Sequence, residues 1–222
     1  MAGTLLHFTM PGACISCNRD VRLAIFDDNF YSTLGILLST YIFIAFVIIL
    51  LYSVAVRRIE ISSLPDKQPQ NPLPPTITAI VLGVGIGGFI DGIVFHQILQ
   101  WHEMLSNKVS TATVAGKSVN MFWDGIFHAS TLIIVCAGIF SLWNLTKRND
   151  IAKDTGILAG GLLTGWGLFN CVEGTINHHI AGLHNVREYA NHDLWNVGFL
   201  ILSILILITG IAVVYRKITI KK

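Results

Sequence analysis

Five long apolar stretches set the pattern of hydrophobic and polar positions along the chain. They cover residues 33–56, 76–100, 121–143, 155–178 and 194–215. About 20 helical residues cross a hydrocarbon core of ~30 Å, so each stretch is long enough to span a membrane. None shows strand-like alternation, and lipid offers no partner for an open strand edge. The pattern predicts an all-α integral membrane protein with five transmembrane helices.

The composition agrees with this interpretation. Of the 222 residues, 53% are hydrophobic and 13% are charged, whereas an average soluble domain has about 25% charged residues. Residues 1–30 contain no apolar run of the kind that a cleavable signal peptide needs, so this segment is predicted to remain on the mature protein. The net charge of +2 gives no reason to expect nucleic acid as a partner. The predicted partner is the lipid bilayer.

Lysine and arginine are distributed unequally between the two sides of the membrane. Ten follow span one, follow span three or lie in the C-terminal tail, and five lie on the other side. Because cytoplasmic loops carry the excess of positive charge, the side with ten is predicted to be cytoplasmic. The N-terminus is then outside and the C-terminus is cytoplasmic.

A proline-rich stretch divides the chain into two units. Residues 61–75 contain five prolines and are predicted to form a cytoplasmic linker. The linker separates residues 1–60, an extracytoplasmic tail with transmembrane helix 1, from a four-helix membrane domain over residues 76–215.

Spans two and four align without a gap at an offset of 82 residues. The aligned segments are GVGIGGFIDGIVFHQILQWH from Gly83 and GWGLFNCVEGTINHHIAGLH from Gly165. Six positions coincide in rare or polar residue type: Gly83/Gly165, Gly85/Gly167, Asp91/Glu173, Gly92/Gly174, His96/His178 and His102/His184. This agreement predicts an internal repeat, residues 76–150 and 155–215, in which each copy is a helical hairpin. Two parallel copies are related by a pseudo-twofold axis along the membrane normal.

The predicted topology places all eight histidines at the extracytoplasmic side. Asp91 and Glu173 lie inside the hydrocarbon, where a carboxylate is costly unless it is paired, protonated or bound to a metal. Imidazole and carboxylate together suit copper, iron or zinc. The candidate ligands of a metal site between spans two, three and four are His96, His102, His128, His178, His179, His184, Asp91, Asp124 and Glu173.

Helix geometry predicts two layers of histidines. His96 and His102 are six residues apart, which on one α-helix separates them by ~120° around the axis and ~9 Å along it. The deeper layer would hold His96 and His178, which could bind one haem, and the outer layer would hold His102 and His184. A dinuclear copper, iron or zinc centre is equally compatible with these residues. The alternative is that the histidines are interfacial polar residues and that the glycines serve helix packing only.

Cys14 and Cys17 form a CxxC motif in the N-terminal tail. On the oxidising side of the membrane they could form a disulfide, a redox pair or, with His7, a metal site. The sequence does not decide between these roles.

Three segments resemble a family of predicted bacterial membrane proteins catalogued as a domain of unknown function. They read GIGGFIDGIVFHQILQWHEML, NMFWDGIFH and GWGLFNCVEGTINHHIAGLHNVRE, and the resemblance covers about residues 76–215. It implies four spans and a location in the bacterial inner membrane, but no activity. The CxxC tail with span one lies outside this region and resembles short proteins encoded near bacterial respiratory genes.

Three functions remain open at this stage. The first is a membrane protein that binds a metal or haem at the histidine and carboxylate cluster, as an oxidoreductase or hydrolase would, with a redox role compatible with the residues. The second is a metal transporter or delivery protein, which the few polar residues in the inner halves of spans two to five disfavour. The third is an accessory subunit or assembly factor of a larger respiratory membrane complex, without catalysis of its own. Whether the protein is an enzyme is not decided by the sequence.

Overall fold

The structure is a computed structural model that describes residues 18–62, 70–189 and 191–219. Within these ranges the chain forms six α-helices, two of which continue into π-helical segments. The helices are α1 (Arg19–Ile25), α2 (Phe30–Ser62), α3 (Leu73–Ile90), α4 (Val114–Thr146), α5 (Thr155–Glu173) and α6 (His192–Thr219). The first π-helical segment, Asp91–Ile98, extends α3, and the second, Gly174–Ile180, extends α5.

Five of these elements are long and apolar enough to cross a membrane, which confirms the predicted fold class. They cover Phe30–Val56, Leu73–Ile98, Val114–Thr146, Thr155–Ile180 and His192–Thr219. The short helix α1 was not predicted from the sequence. It begins after Asn18, whose side chain accepts hydrogen bonds from the backbone N–H groups of Asp20 and Val21.

Helices α3 and α5 cross in close contact at the centre of the bundle. A Cβ atom on Gly83 would lie 2.2 Å from the Leu162 carbonyl oxygen, and one on Gly165 would lie 2.1 Å from the Ile80 carbonyl oxygen. The absence of side chains at these two positions therefore allows direct contact between the backbones. Helix α4 packs against α3, and α6 packs against α5.

Helix α2 packs on the side of this four-helix unit. The Tyr41 ring lies 6.4 Å from the Phe127 ring and 6.3 Å from the Phe169 ring, measured between centroids. Most of the linker, residues 63–69, lies outside the described residues. The division of the chain into two units at residues 61–75 stays a prediction.

The two ends of the bundle differ in composition. At the histidine end, formed by residues 99–113 and 181–189, the Asn107 N–H donates to the Leu183 carbonyl and the Glu188 N–H to the Trp101 carbonyl (3.0 and 3.1 Å). At the opposite end, the basic end, Asn71 joins the start of α3 to the loop between α4 and α5. The basic residues at that end include Lys147, Arg148, Lys153, Arg216 and Lys217.

Candidate metal centre

The two π-helical segments bring each buried acid next to a histidine five residues further along the chain. In an α-helix, residues five apart point ~140° away from each other. In a π-helix the hydrogen bonds run from i to i+5, so these two residues lie on the same face. His96 Nε2 is 3.3 Å from Asp91 Oδ2, and His178 Nε2 is 3.3 Å from Glu173 Oε1. The acids therefore contact the histidines directly.

After each π-helical segment the chain turns back toward the bundle through a residue in the left-handed conformation. These residues are Gln100 and Gly182, with φ angles of 50° and 55°. The turns return His102 and His184 to the interior, where they are 3% and 0% exposed. The prediction of two histidine layers is therefore wrong, because the helix ends before His102 and α-helical spacing does not apply to it.

Four imidazole rings form one row at the histidine end. The centroid distances between neighbouring rings are 4.3 Å from His96 to His102, 4.6 Å from His102 to His184, and 4.7 Å from His184 to His178. The two central rings, His102 and His184, are stacked with an interplanar angle of 3°. The row therefore begins and ends with the two histidines that stand beside Asp91 and Glu173.

Fixed acceptors orient three of the four rings through their Nδ1 atoms. His96 Nδ1 is 2.8 Å from Asp124 Oδ1, His102 Nδ1 is 2.8 Å from the Val186 carbonyl, and His184 Nδ1 is 3.0 Å from the Met104 carbonyl. A carbonyl oxygen can only accept, so Nδ1 of His102 and His184 carries the proton. Metal-binding histidines are oriented in the same way by a carboxylate or a carbonyl.

The opposite nitrogens converge inside the cluster. The buried Nε2 atoms of His96 and His178 lie 3.3 Å from Asp91 and Glu173 but do not form hydrogen bonds of normal geometry with them. His102 Nε2 and His178 Nδ1 have no hydrogen-bond partner among the described residues. Burial and the neighbouring imidazoles hold the pKa of His102 well below its usual value, so this ring is neutral. Its Nε2 is then a free lone pair pointing toward other nitrogens. Such an arrangement is unfavourable unless a proton, a water molecule or a metal ion lies between them.

His184 faces acceptors on both sides. Its Nδ1 donates to the Met104 carbonyl, while its Nε2 is 3.2 Å from Glu173 Oε1. A neutral imidazole has one N–H and cannot donate to both. Either a second proton or a metal ion between Nε2 and the carboxylate satisfies this geometry.

The donor atoms fall into two overlapping groups of three. Within each group every ligand atom lies within 4.8 Å of the others, and all the residues are buried. One group is His96, His102 and His184, and the other is Glu173, His178 and His184. Of the remaining predicted residues, Asp124 touches the cluster as the hydrogen-bond partner of His96, and Asp91 contacts His96 Nε2.

Besides Asp91 and Asp124, two further predicted ligands lie outside both groups. The Nδ1 atom of His128 is 2.7 Å from the Asp124 carbonyl oxygen. A Cβ on Gly92 would be 2.5 Å from His128 Nε2, so this ring faces the backbone of the first π-helical segment. His179 is exposed on the surface. The three N-terminal candidates, His7, Cys14 and Cys17, lie outside the described residues.

Tyr41 is a residue near the site that the sequence analysis missed. Its buried hydroxyl has no hydrogen-bond partner within the described part of the chain, and its ring neighbours Phe127, which is stacked on His96 with ring centroids 5.7 Å apart. A single tyrosine in an apolar span gives no sequence signal. The Val186 and Met104 carbonyls were missed for a similar reason, because a backbone acceptor can belong to any residue type.

A pair of loops covers the cluster at the histidine end. Arg187 lies between the rings of Trp101 and Trp195, with its guanidinium carbon 5.5 and 5.3 Å from their centroids. Beside these loops is a cavity of about 400 Å³ lined in part by Asp27 and Lys108. The histidine cluster is therefore covered by protein on its outer side.

A family of proteins matches the part of the chain that contains this cluster. The sequence profile described as "Predicted membrane protein (DUF2243)" covers residues 78–217. The chain belongs to this family. The match includes α4, α5 and nearly all of α3 and α6, and it leaves α1 and α2 outside, as the resemblance implied. Comparison with curated proteins and comparison with solved structures each gave no match.

Proposed function

We propose that this protein binds a transition metal, copper, iron or zinc, at the buried histidine and carboxylate cluster of the histidine end. The observation that carries the proposal is the orientation of the imidazoles. Acceptors hold the Nδ1 atoms of His96, His102 and His184, and ligand atoms of the same three residues lie within 4.8 Å of one another. Imidazole and carboxylate donors of this kind suit the three named metals.

A metal ion fits the cluster better than a haem does. A haem bound by His96 and His178 would need a planar macrocycle between these two rings. The stacked rings of His102 and His184 occupy this space. The ring centroid of His184 is 5.6 Å from that of His96, and the centroid of His102 is 6.1 Å from that of His178. The proposal therefore concerns ions without a porphyrin.

The competing explanation is a buried ion-pair network without metal. In that case His96 would be an imidazolium between Asp91 and Asp124, and the protein would serve a larger membrane complex as an accessory subunit. Buried ion pairs of this kind occur in proteins and contribute little net stability. The two explanations differ in whether the folded, purified protein contains metal.

The first prediction is that the wild-type protein, purified in mild detergent without chelators, contains bound transition metal, whereas His184→Ala contains less of it. His184 belongs to both donor groups, so its loss affects every arrangement of ligands in the cluster. Elemental analysis per mole of folded protein, with an absorption spectrum to detect haem, measures this outcome. His179→Ala is the control because His179 is exposed. A folded wild type without metal, or His184→Ala with full metal content, would refute the proposal.

We also propose that the two helical hairpins are copies of one ancestral hairpin. Contacts that recur at positions 82 residues apart support this. Gly83 contacts Leu162, and Gly165 contacts Ile80 in the same way. His102 is hydrogen-bonded to the Val186 carbonyl, and His184 to the Met104 carbonyl. The left-handed residues Gln100 and Gly182 also match. Helices α4 and α6 agree at an offset of 72 residues, where Asp124 accepts from the Met104 N–H and Asn196 from the Val186 N–H.

The orientation that we propose places the histidine end outside a bacterial inner membrane and the basic end in the cytoplasm. It rests on the unequal distribution of lysine and arginine. A membrane-impermeant thiol reagent is expected to label Cys14 or Cys17 in intact, reduced cells. The double variant Cys14→Ala/Cys17→Ala is the control and should lose this label. Labelling that requires lysis of the cells would reverse the orientation.

A further inference from the structure

We propose that the cluster is a dinuclear centre with one metal ion in each of two half-sites. The first half-site is Asp91, His96 and His102, and the second is Glu173, His178 and His184. This inference rests on the proposed function and specifies how many ions the cluster holds and which ligands each ion takes. The class of ligand is a pair of divalent transition-metal ions.

Each half-site has the same chemical composition, two histidines and one carboxylate. The carboxylate lies 3.3 Å from the histidine five residues later in both cases. The third ligand returns through a left-handed turn, at Gln100 in one half-site and at Gly182 in the other. Two imidazoles with one carboxylate are a sufficient donor set for one ion and leave coordination positions open.

The number of donor atoms exceeds what a single ion uses. Six residues direct a nitrogen or oxygen atom into the cluster, whereas a tetrahedral ion takes four ligands. Ligands of one zinc ion lie about 2 Å from it and therefore about 4 Å or less from one another. The ligand atoms fall into two groups that share His184, one with His96 and His102 and one with Glu173 and His178. Asp91 adds its carboxylate to the first half-site through the 3.3 Å contact with His96 Nε2. A single ion would leave buried donors at one end without a partner, which is unfavourable.

The buried charge also favours two ions. Asp91, Asp124 and Glu173 are 4%, 6% and 1% exposed, and all three lie within membrane spans. Ionised, they would carry three negative charges, which one divalent cation does not neutralise and two do. Uncompensated charge at this depth is costly, so the second ion reduces the electrostatic penalty.

Glu173 and His184 place the two ions next to each other. Glu173 Oε1 contacts both His178 and His184, while its Oε2 is buried without a hydrogen-bond partner among the described residues. A carboxylate in this position can bind one ion through each oxygen. Since His184 also lies within 4.8 Å of the donors from His96 and His102, the half-sites are contiguous. Ions in two-metal centres are typically about 3.5–4 Å apart.

Metal stoichiometry tests this inference. Apoprotein in detergent would be loaded with excess Zn²⁺, freed of unbound ion and analysed for zinc per chain. We expect about two ions in the wild type and in His179→Ala, and about one in each of His96→Ala and His178→Ala. The double variant His96→Ala/His178→Ala is expected to bind none tightly. Circular dichroism and gel filtration establish whether each variant is folded. If an alanine variant does not fold, the corresponding glutamine variant, His96→Gln or His178→Gln, is measured in its place.

The outcomes separate this inference from the proposed function. One zinc ion per folded wild-type chain would overturn the dinuclear centre and leave metal binding intact. Two ions that both persist in His96→Ala and His178→Ala would overturn the assignment of the half-sites. No zinc in the folded wild type would overturn the proposed function itself.

Discussion

Glu173→Gln is expected to lower the affinity for metal by about 100-fold or more while the helices remain folded. Glu173 is the acid with the most contacts in the cluster, because its Oε1 lies 3.3 Å from His178 Nε2 and 3.2 Å from His184 Nε2. Glutamine keeps the shape of the side chain and removes the negative charge. Substitution of a residue that only hydrogen-bonds to a metal ligand lowers the metal affinity by about 10- to 100-fold. Substitution of a direct ligand should therefore lower the affinity by about 100-fold or more. Competition with a chelator of known affinity measures the change.

Asp91→Asn and Glu188→Gln provide the comparison for this variant. Asp91 contacts one histidine rather than two, so Asp91→Asn is expected to have a smaller effect in the same direction. Glu188 accepts hydrogen bonds from Ser106 and Asn185 in the outer loops and lies outside both donor groups. Glu188→Gln should therefore retain wild-type affinity. Unchanged affinity in both Glu173→Gln and Asp91→Asn would show that neither acid is a ligand.

Gly165→Ala is expected to destabilise the fold by about 3 kcal/mol, near the upper end of the range for overpacking. The added Cβ would lie 2.1 Å from the Ile80 carbonyl oxygen and 2.8 Å from the Val84 nitrogen. Both are backbone atoms and cannot rotate away, so α3 and α5 must separate. A loss of this size lowers the midpoint of thermal unfolding by roughly 6–12 °C in a chain of this length.

Two further glycine variants make this result interpretable. Gly83→Ala should behave like Gly165→Ala, because its Cβ would meet the Leu162 backbone at 2.2 Å. Gly125→Ala is the matched control, since no atom lies within 4 Å of its added Cβ and alanine favours a helix over glycine. Thermal unfolding followed by circular dichroism in one detergent compares all three. Equal midpoints for Gly165→Ala and Gly125→Ala would contradict the close crossing of α3 and α5.

The membrane spans could be predicted from the sequence because lipid imposes a simple requirement. A segment without strand partners must satisfy its backbone within a helix, and the length of the apolar run then gives the span. The fourth predicted span, residues 155–178, agrees closely with the observed span Thr155–Ile180. Helix α1 was missed because seven residues with mixed polarity carry no such signal.

The composition of the cluster could be predicted in part, but its geometry could not. Repetition between spans two and four identified the acids and histidines that form the cluster. The sequence analysis assumed α-helical spacing, which fails where a π-helical segment adds one residue to the turn and where the chain reverses at Gln100. His128 was a predicted ligand because it shares a helical face with Asp124, yet its ring faces Gly92. The orientation of a histidine ring depends on how the neighbouring helices pack around it, and this packing cannot be derived from a single sequence.

X-ray absorption at the metal edge tests the central claim, metal binding by the histidine cluster, most directly. The scattering from a bound zinc ion is expected to show imidazole ligands at about 2.0–2.1 Å with a carboxylate oxygen at a similar distance. The amount of imidazole-bound zinc per chain should decrease in His96→Ala and remain unchanged in His179→Ala. A shell of sulfur ligands at about 2.3 Å would instead assign the metal to cysteine residues. That result, or an amount of imidazole-bound zinc per chain that His96→Ala leaves unchanged, would contradict a metal centre built from these histidines.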